Sequence, residues 1–482
     1  MLSFAVFFPI AAGLLLFLVP EQQRKLRCTL VELTALLTSA VMFYLITGKQ
    51  GTVEAAFPIV QNLTLTFSLD GTGSLFAGLA AFLWPIATLY GFEYMRHVGR
   101  ERAFFALYTI SYGVTLGIAM AGNLVTLYIF YELLSLSTLP LVMHSSSPEA
   151  IRAGRQYMAY TFGGAALALM GIIPVIAWGG GTFVPGGALN AGLFEQNPVL
   201  LQVLFLCAAL GFGVKAAVMP FHSWLPGAAV APTPVTALLH AAAVVKAGAF
   251  AVIRVTYYTF GAERLFGTVA QAVLICLAAL TIVYGAFRAV REHHLKRRLA
   301  WSTVSNLSYI IFASSLMTPD GMTGALAHLI FHALVKITLF YCSGAILVQT
   351  GKTQIESMRG LRTKMPLVST VYTIAAMALA GMPLLPPFLS KWTIGNAALA
   401  SGTPFGMVGL IAMLISAILC AVYVLYPAFF MLFRNPDREE PDMPGDPGLC
   451  MKVSLVILAL TILLSGLFTN RLLAFIMTQA QM

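Results

Sequence analysis

Charge is what this sequence has least of. Only 10% of its 482 residues are Asp, Glu, Lys or Arg, and 59% are hydrophobic, whereas a soluble domain carries about 25% charged residues. That scarcity excludes a soluble fold. The six cysteines, Cys28, Cys207, Cys276, Cys342, Cys420 and Cys450, are scattered without CxxC or CxxCH spacing. Neither an iron–sulfur cluster, a haem attachment nor a zinc site is implied. No cofactor, nucleotide or metal is expected, and any electron transfer falls to other chains. Carboxylates deep in apolar runs are almost missing as well. Glu132 is the one clear case; Asp70 and Glu93 lie near run ends, and Glu32 only a few residues into its run. A Na⁺ or Ca²⁺ site needs several hard oxygen ligands, so protons are favoured over sodium as the ion handled.

What the chain does have is apolar runs of roughly 20 residues, each long enough to cross a bilayer. About 14 of them are expected, starting near residues 1, 29, 72, 104, 123, 155, 199, 233, 265, 301, 321, 367, 405 and 452. The first run lacks a basic start and a small-residue cleavage site, so it reads as a retained helix. The expected fold is an all-α integral membrane protein, a single polytopic domain over 1–482. The formal net charge of +10 sits in short loops, where it acts as a topology signal and meets anionic headgroups, not nucleic acid. Basic residues collect on loops of one parity: Arg24, Lys25 and Arg27; Arg96, Arg100 and Arg102; Arg152 and Arg155; Arg291, Lys296, Arg297 and Arg298; Lys352, Arg359, Arg362 and Lys364; Arg434 and Arg438. The other parity holds little beyond Lys49 and Arg264. Those basic loops are assigned to the cytoplasm and both termini to the outer, periplasmic side of the inner (plasma) membrane.

Two spans are broken by proline, one at Pro220, Pro226, Pro232 and Pro234, the other at Pro383, Pro386 and Pro387. At membrane depth the carbonyls freed by proline need protein or water as partners, so such breaks line hydrated cavities. Pro220-Phe221-His222-Ser223-Trp224 is similar to Pro387-Phe388-Leu389-Ser390-Lys391-Trp392, about five helices later. An odd offset inverts orientation, which hints at two inverted five-helix repeats, each with a broken helix. The corresponding division is 1–103 for the N-terminal helices, 104–260 and 261–433 for the repeats, and 434–482 for the C-terminal helix.

Ionisable groups deep in a span cost roughly 2.5–3.5 kcal/mol each on insertion scales, so each needs a function or a partner. Glu132, Lys215, His240, Lys246, His328, His332, Lys336 and Lys391 are the candidates. On a regular helix, His240 and Lys246 point to faces about 120° apart. His328, His332 and Lys336 recur every four residues and form a ladder about 12 Å long on one face. Histidine titrates near neutrality and lysine loses its proton readily when desolvated, so such a line can pass protons. A Glu132 carboxylate about 7 Å from an ammonium would attract it by roughly 2 kcal/mol at an effective dielectric near 20; Lys215 is the proposed partner. Other readings stay open: Lys215 and Lys391, beside breaks, could reach an interface, Glu132 could be a structural acid, and His328 or His332 could bridge helices. His222 and His144, nearer span ends, read as structural.

The segment GFGVKAAVMPFHSWLPGAAVAPTPVTALLHAAAVVKAGAFAVIR at 211–254 resembles the most distinctive stretch of the antiporter-like subunits shared by respiratory complex I, energy-converting membrane-bound hydrogenases and Mrp-type cation/proton antiporters. FYELLSLSTLPL around Glu132, KRRLAWSTVSNLSYI at 296–310, AHLIFHALVKITLFYCSGAI at 327–346 and GMPLLPPFLSKW at 381–392 extend the resemblance over about 70–400. It implies 14 helices, two inverted repeats and a central hydrophilic axis for protons. By resemblance, Glu132 takes the place of the family's carboxylate, Lys215 of its paired lysine and Lys246 of the connecting lysine. His328, His332 and Lys336 fall on the central relay, and Lys391 on the exit position, as in Mrp-type and distal complex I versions. The sequence lacks the long lateral helix of the most distal complex I subunit, which sets it apart from that subunit. The expected function is that of a proton-translocating, antiporter-like subunit with other membrane subunits as partners, driven by redox chemistry in those chains or by cation exchange. The rivals are a free-standing solute carrier and a non-conducting membrane anchor.

Overall fold

Short polar side chains and prolines start the helices. Asp70 Oδ1 accepts from the Gly73 amide at 2.7 Å and Asn123 Oδ1 from the Thr126 amide at 2.8 Å. Ser147, Thr318 and Thr403 cap helices whose first residue is Pro148, Pro319 or Pro404, a position where the missing amide costs nothing. In this computed structural model, which describes residues 1–48, 51–60, 63–433 and 445–481, the principal helices are α1 (Leu2–Leu16), α2 (Arg24–Gly48), α3 (Gly71–Tyr94), α4 (Glu101–Ala119), α5 (Leu124–Val142), α6 (Pro148–Ala177) and α7 (Pro198–Gly213). They continue with α8 (Thr233–Phe260), α9 (Val269–Arg291), α10 (Leu295–Ser315), α11 (Pro319–Thr350), α12 (Pro366–Ala380), α13 (Pro386–Ala400), α14 (Pro404–Leu432), α15 (Leu449–Leu467) and α16 (Thr469–Gln481). Lys49, Arg434 and Arg438 lie outside the described residues.

Ten of these helices are long and apolar enough to cross a membrane: α2 to α6, α8, α9, α11, α14 and α15. The chain is a multi-pass membrane protein. Two shorter apolar helices, α1 and α7, accompany them, and the segment Ile355–Thr363 meets α12 at a bend of 118°. The chain is all-helical as expected, save for one short connection. An antiparallel hairpin, Val53–Val60 paired with Leu63–Ser68, links α2 to α3. Its second strand, Leu-Thr-Leu-Thr-Phe-Ser, alternates apolar and polar residues with the period of two that makes a strand.

Burial sorts the helices into a core and a rim. Of the most apolar stretch of each, all of α8 and 94% of α11 is buried, against 39% for α2, α6, α14 and α15. Helix α10 is buried along nearly its whole length despite Lys296, Arg297, Arg298 and a run of Ser, Thr and Asn. Neighbouring helices and the helix's own carbonyls satisfy several of those polar groups. Ser305 Oγ donates to Ile282 O at 2.8 Å and shares a 2.9 Å bond with Ser416 Oγ, while Asn306 Nδ2 donates to Ser302 O of its own helix at 2.8 Å and to the Tyr423 hydroxyl at 3.3 Å. Five of the eight candidate residues sit on α8 and α11, the two most enclosed of the ten apolar helices.

Both expected breaks are present as interruptions of helix. After α7 the chain runs through turns and two short helical pieces, Trp224–Gly227 and Ala228–Val230, before α8 begins. Residues 381–385 separate α12 from α13. Each break holds a non-glycine residue at positive φ, Ala217 at 56° and Leu384 at 70°, a region that costs a residue with a Cβ and that clusters at functional sites.

Candidate functional site

His328, His332 and Lys336 stand four residues apart within α11, and none is exposed to any measurable extent. The two imidazoles stack with centroids 5.6 Å apart. Each rung is tied to a different neighbour. His332 Nδ1 shares a 2.6 Å hydrogen bond with Lys246 Nζ of α8, and His328 Nδ1 shares one of 2.9 Å with Ser390 Oγ of α13. Lys336 Nζ donates to Leu299 O of α10 at 2.9 Å and to Ser302 Oγ. The Lys246–His332 bond admits two states: an ammonium donating to a neutral imidazole, or a protonated ring donating to a neutral amine. Passing between them moves one proton between two helices without moving either side chain.

Glu132 and Lys215 form the second group. The Lys215 ammonium lies 4.0 Å from Glu132 Oε1, closer than the expected 7 Å; it donates to Tyr131 O and stands 3.3 Å from the centroid of the Tyr131 ring. Its side chain is fully buried, whereas that of Glu132 is 20% exposed. An interfacial position for Lys215 is therefore ruled out. Gly248 presses on this residue: a Cβ there would meet Ala216 N at 2.6 Å and the Lys215 carbonyl carbon at 2.9 Å. Glycine thus lets α8 bring Lys246, two residues away, up to the Lys215 segment. Gly248→Val is expected to destabilise the protein by about 1–3 kcal/mol through overpacking against backbone, measured as a lower midpoint of thermal unfolding in detergent. An unchanged midpoint would refute the close approach.

Lys391 closes the series. It is 9% exposed, and its Nζ donates to Leu379 O at 2.7 Å and Ala380 O at 3.3 Å, two carbonyls left over at the end of α12. The next residue, Trp392, is 58% exposed, so the lysine turns inward where its neighbour turns out. Gly381, with φ of 94°, leaves room for the Lys391 side chain; a Cβ there would lie 3.3 Å from Nζ.

His240 departs from the regular-helix expectation. Helix α8 winds as a π-helix over Leu238–Ala242, and Ala243, with φ of −122° and ψ of −80°, breaks the register. The angle of 120° to Lys246 therefore does not apply. The His240 ring lies 5.0 Å from that of Phe340 and within electrostatic reach of Lys336, Lys296 and Lys246. Neither of its ring nitrogens has a hydrogen-bond partner among the described residues, and the same holds for His328 Nε2 and His332 Nε2. Buried polar atoms of this kind are ordinarily satisfied by water. His144 and His222 fit structural roles: His144 Nε2 shares a 3.1 Å bond with Gly99 O, and the His222 ring packs on Tyr284 and Trp301.

Three residues that the spacing does not single out also belong to this interior. Lys296, counted among the basic loop residues, is 6% exposed and its Nζ donates to Ala231 O. Arg254, 1% exposed, holds Asp70, donates to Thr72 Oγ1 at 3.0 Å and Ala121 O at 3.1 Å, and stacks on Phe183 and Tyr258. Cys420 Sγ donates at 3.4 Å to Leu379 O, the acceptor that Lys391 also uses. A lysine at a helix start, an arginine at a span end and a lone cysteine carry no sequence signal that separates them from ordinary residues of those kinds.

Residues 121–418 match the family model described as NADH:quinone oxidoreductase/Mrp antiporter, TM. The chain is 31% identical over 475 residues to a component of a probable K⁺/H⁺ antiporter of Rhizobium meliloti, covering 97% of this chain and 47% of that one. It is 31% identical to a component of a Na⁺/H⁺ antiporter of Alkalihalophilus pseudofirmus, over 89% of this chain and 56% of that one. The chain thus spans about half the length of these antiporter relatives. It is also 29% identical to a component of the NADH-quinone oxidoreductase of Desulforudis audaxviator, covering 83% of this chain and 82% of that one. Among solved structures, a chain of the Mrp complex from a Dietzia species superposes with a TM-score of 0.86 at 25% identity, over 100% of this chain and 51% of that one. A chain of an archaeal membrane-bound sulfane sulfur reductase does so at 0.87 and 23% identity, over 100% and 96%.

Proposed function

Because the chain belongs to the NADH:quinone oxidoreductase/Mrp antiporter transmembrane family, we propose that it translocates protons as an antiporter-like subunit of a multisubunit membrane complex. The proposed path begins at Glu132 and Lys215, crosses to Lys246 with His240 beside it, and continues through His332, His328 and Lys336 to Lys391. The observation that carries the reading is the 2.6 Å bond between Lys246 and His332, made between the two most enclosed of the ten apolar helices. A bilayer-spanning protein has no structural need for an amine and an imidazole there, since apolar side chains would pack at lower cost. Five buried lysines, Lys215, Lys246, Lys296, Lys336 and Lys391, with Glu132 beside the first of them, favour a carrier of protons over a site for sodium, whose ligands are oxygens.

The finer architecture goes with this proposal. Adding α1, α7, α10 and the α12–α13 pair to the ten apolar helices gives 14 spans, with two inverted five-helix repeats at 104–260 and 261–433, each broken beside a lysine. Both termini then face the outside of the plasma membrane. Partners are other membrane subunits, which supply either redox drive or cation exchange. Free-standing solute transport and a non-conducting anchor are the rival functions. In vesicles that hold the assembled complex, Lys336→Ala is expected to slow proton translocation by about tenfold or more with assembly intact. A normal rate in that variant supports the anchor.

A further inference from the structure

The basic cluster at the start of α10 hides a residue that does not behave as a loop lysine. Arg297 reaches outward to Glu292, with 55% of its side chain exposed, whereas the neighbouring Lys296 is 6% exposed. A lysine that only marks topology snorkels and keeps its ammonium in water. Lys296 instead places its Nζ on the carbonyl of Ala231, at the end of the broken segment that precedes α8. That same carbonyl accepts from Thr236 Oγ1 at 3.1 Å, and four residues beyond Thr236 stands His240, whose ring nitrogens have no partner among the described residues. On the α10 side, Leu299 O receives the Lys336 ammonium only three residues after Lys296, a rise of about 4.5 Å along the helix.

We propose that Lys296 is a further proton-relay residue, the one through which the axis exchanges protons with the cytoplasmic side at the break before α8. The inference rests on the proton-translocating reading above. The ammonium of Lys296 gives one proton to His240 by way of the Thr236 hydroxyl and intervening water: an ammonium N–H bond breaks and an imidazole N–H bond forms. The neutral amine then takes its next proton from water on the cytoplasmic side. Val230, beside the carbonyl that holds the lysine, is 45% exposed, so the surface lies one residue away. From His240 the proton passes on toward Lys336 and Lys246, whose amines lie within electrostatic reach.

Arginine separates a relay from a fixed charge, because guanidinium keeps its proton and a lysine amine can give its proton up. In vesicles carrying the complete complex, Lys296→Arg and Lys296→Gln are both expected to slow translocation by about tenfold or more, and Lys296→His to stay within about threefold of the parent. Parental rates in Lys296→Arg would overturn the proposal, because charge alone would then suffice. Lys336→Ala, assayed alongside, distinguishes the two failures. If it pumps normally, the proton axis itself is wrong; if it is inactive while Lys296→Arg is normal, only the relay role of Lys296 falls. A second measurement does not depend on these variants assembling. Val230→Cys in the complete complex should gain labelling over the parent's own cysteines from an impermeant thiol reagent added on the cytoplasmic face, and the adduct should slow translocation. Labelling from the opposite face alone, or labelling that leaves the rate unchanged, overturns the proposal.

Discussion

Lys246→Met is expected to slow proton translocation about a hundredfold or more while leaving the complex assembled. Methionine keeps the unbranched shape and most of the volume of the lysine stem, so the fully buried site on α8 stays filled. What it removes is the one group that shares a hydrogen bond with His332 Nδ1. Without it, the ladder on α11 has no hydrogen-bonded link to α8, and a proton arriving from Lys215 meets a thioether. Lys246→Arg should fail nearly as completely, since a guanidinium can donate to His332 but cannot become the neutral acceptor. The measurement is the initial rate of pH-gradient formation in vesicles driven by the complex's own reaction, with subunit content checked on the same membranes. A near-parental rate in either variant would end the case for a path through this bond.

Glu132 should show the opposite pattern, sensitive to loss of charge and tolerant of a small shift. At 4.0 Å and an effective dielectric near 20, its attraction for the Lys215 ammonium is about 4 kcal/mol, rather less than twice the value at about 7 Å. Glu132→Gln abolishes that attraction and leaves Lys215 a buried cation without a counter-charge. Glu132→Asp draws the carboxylate back to about 5.5 Å and keeps about 3 kcal/mol. Translocation should therefore fall by up to about a thousandfold in Gln and less than about tenfold in Asp, since each 1.4 kcal/mol corresponds to a factor of ten. Equal rates in the two variants would show that the charge of Glu132 has no controlling part. This term is also large enough for regulation: any motion of α5 that separates the pair by a few ångströms changes the ease of proton release from Lys215 many-fold.

The buried ionisable residues of the proposed axis are legible in sequence for a simple reason. In runs where lipid exposure excludes charge, every surviving Lys, His or Glu stands out, and the spacing of His328, His332 and Lys336 aligns them without any knowledge of packing. Where helical regularity fails, so does that legibility. The π-turn at Leu238–Ala242 redirects His240, and nothing in Leu-Leu-His-Ala-Ala distinguishes it from ordinary helix. Lys296 is concealed for a different reason: it stands within a basic cluster at a helix start, where position along the chain predicts water, and only the carbonyl of Ala231 across the break draws it inside. The hairpin before α3 is lost among neighbouring apolar runs because two short strands carry less signal than one span. The proline breaks were visible as composition, but the residues at positive φ within them, Ala217 and Leu384, are set by tertiary context.

Helix α10 carries an implication for biogenesis. Ser305, Asn306 and two buried basic residues, Lys296 and Arg298, find partners on other segments: Ile282 of α9, Ser416 and Tyr423 of α14, and Ala231. Released singly from a translocon into hydrocarbon, such a segment would leave those groups unanswered, at a cost of several kcal/mol. Only the three residues Glu292, His293 and His294 separate it from α9, so the two are suited to leave the channel as one helical hairpin. The polarity buried in this interior thereby also bears on the order in which the nascent chain can be handed to the bilayer.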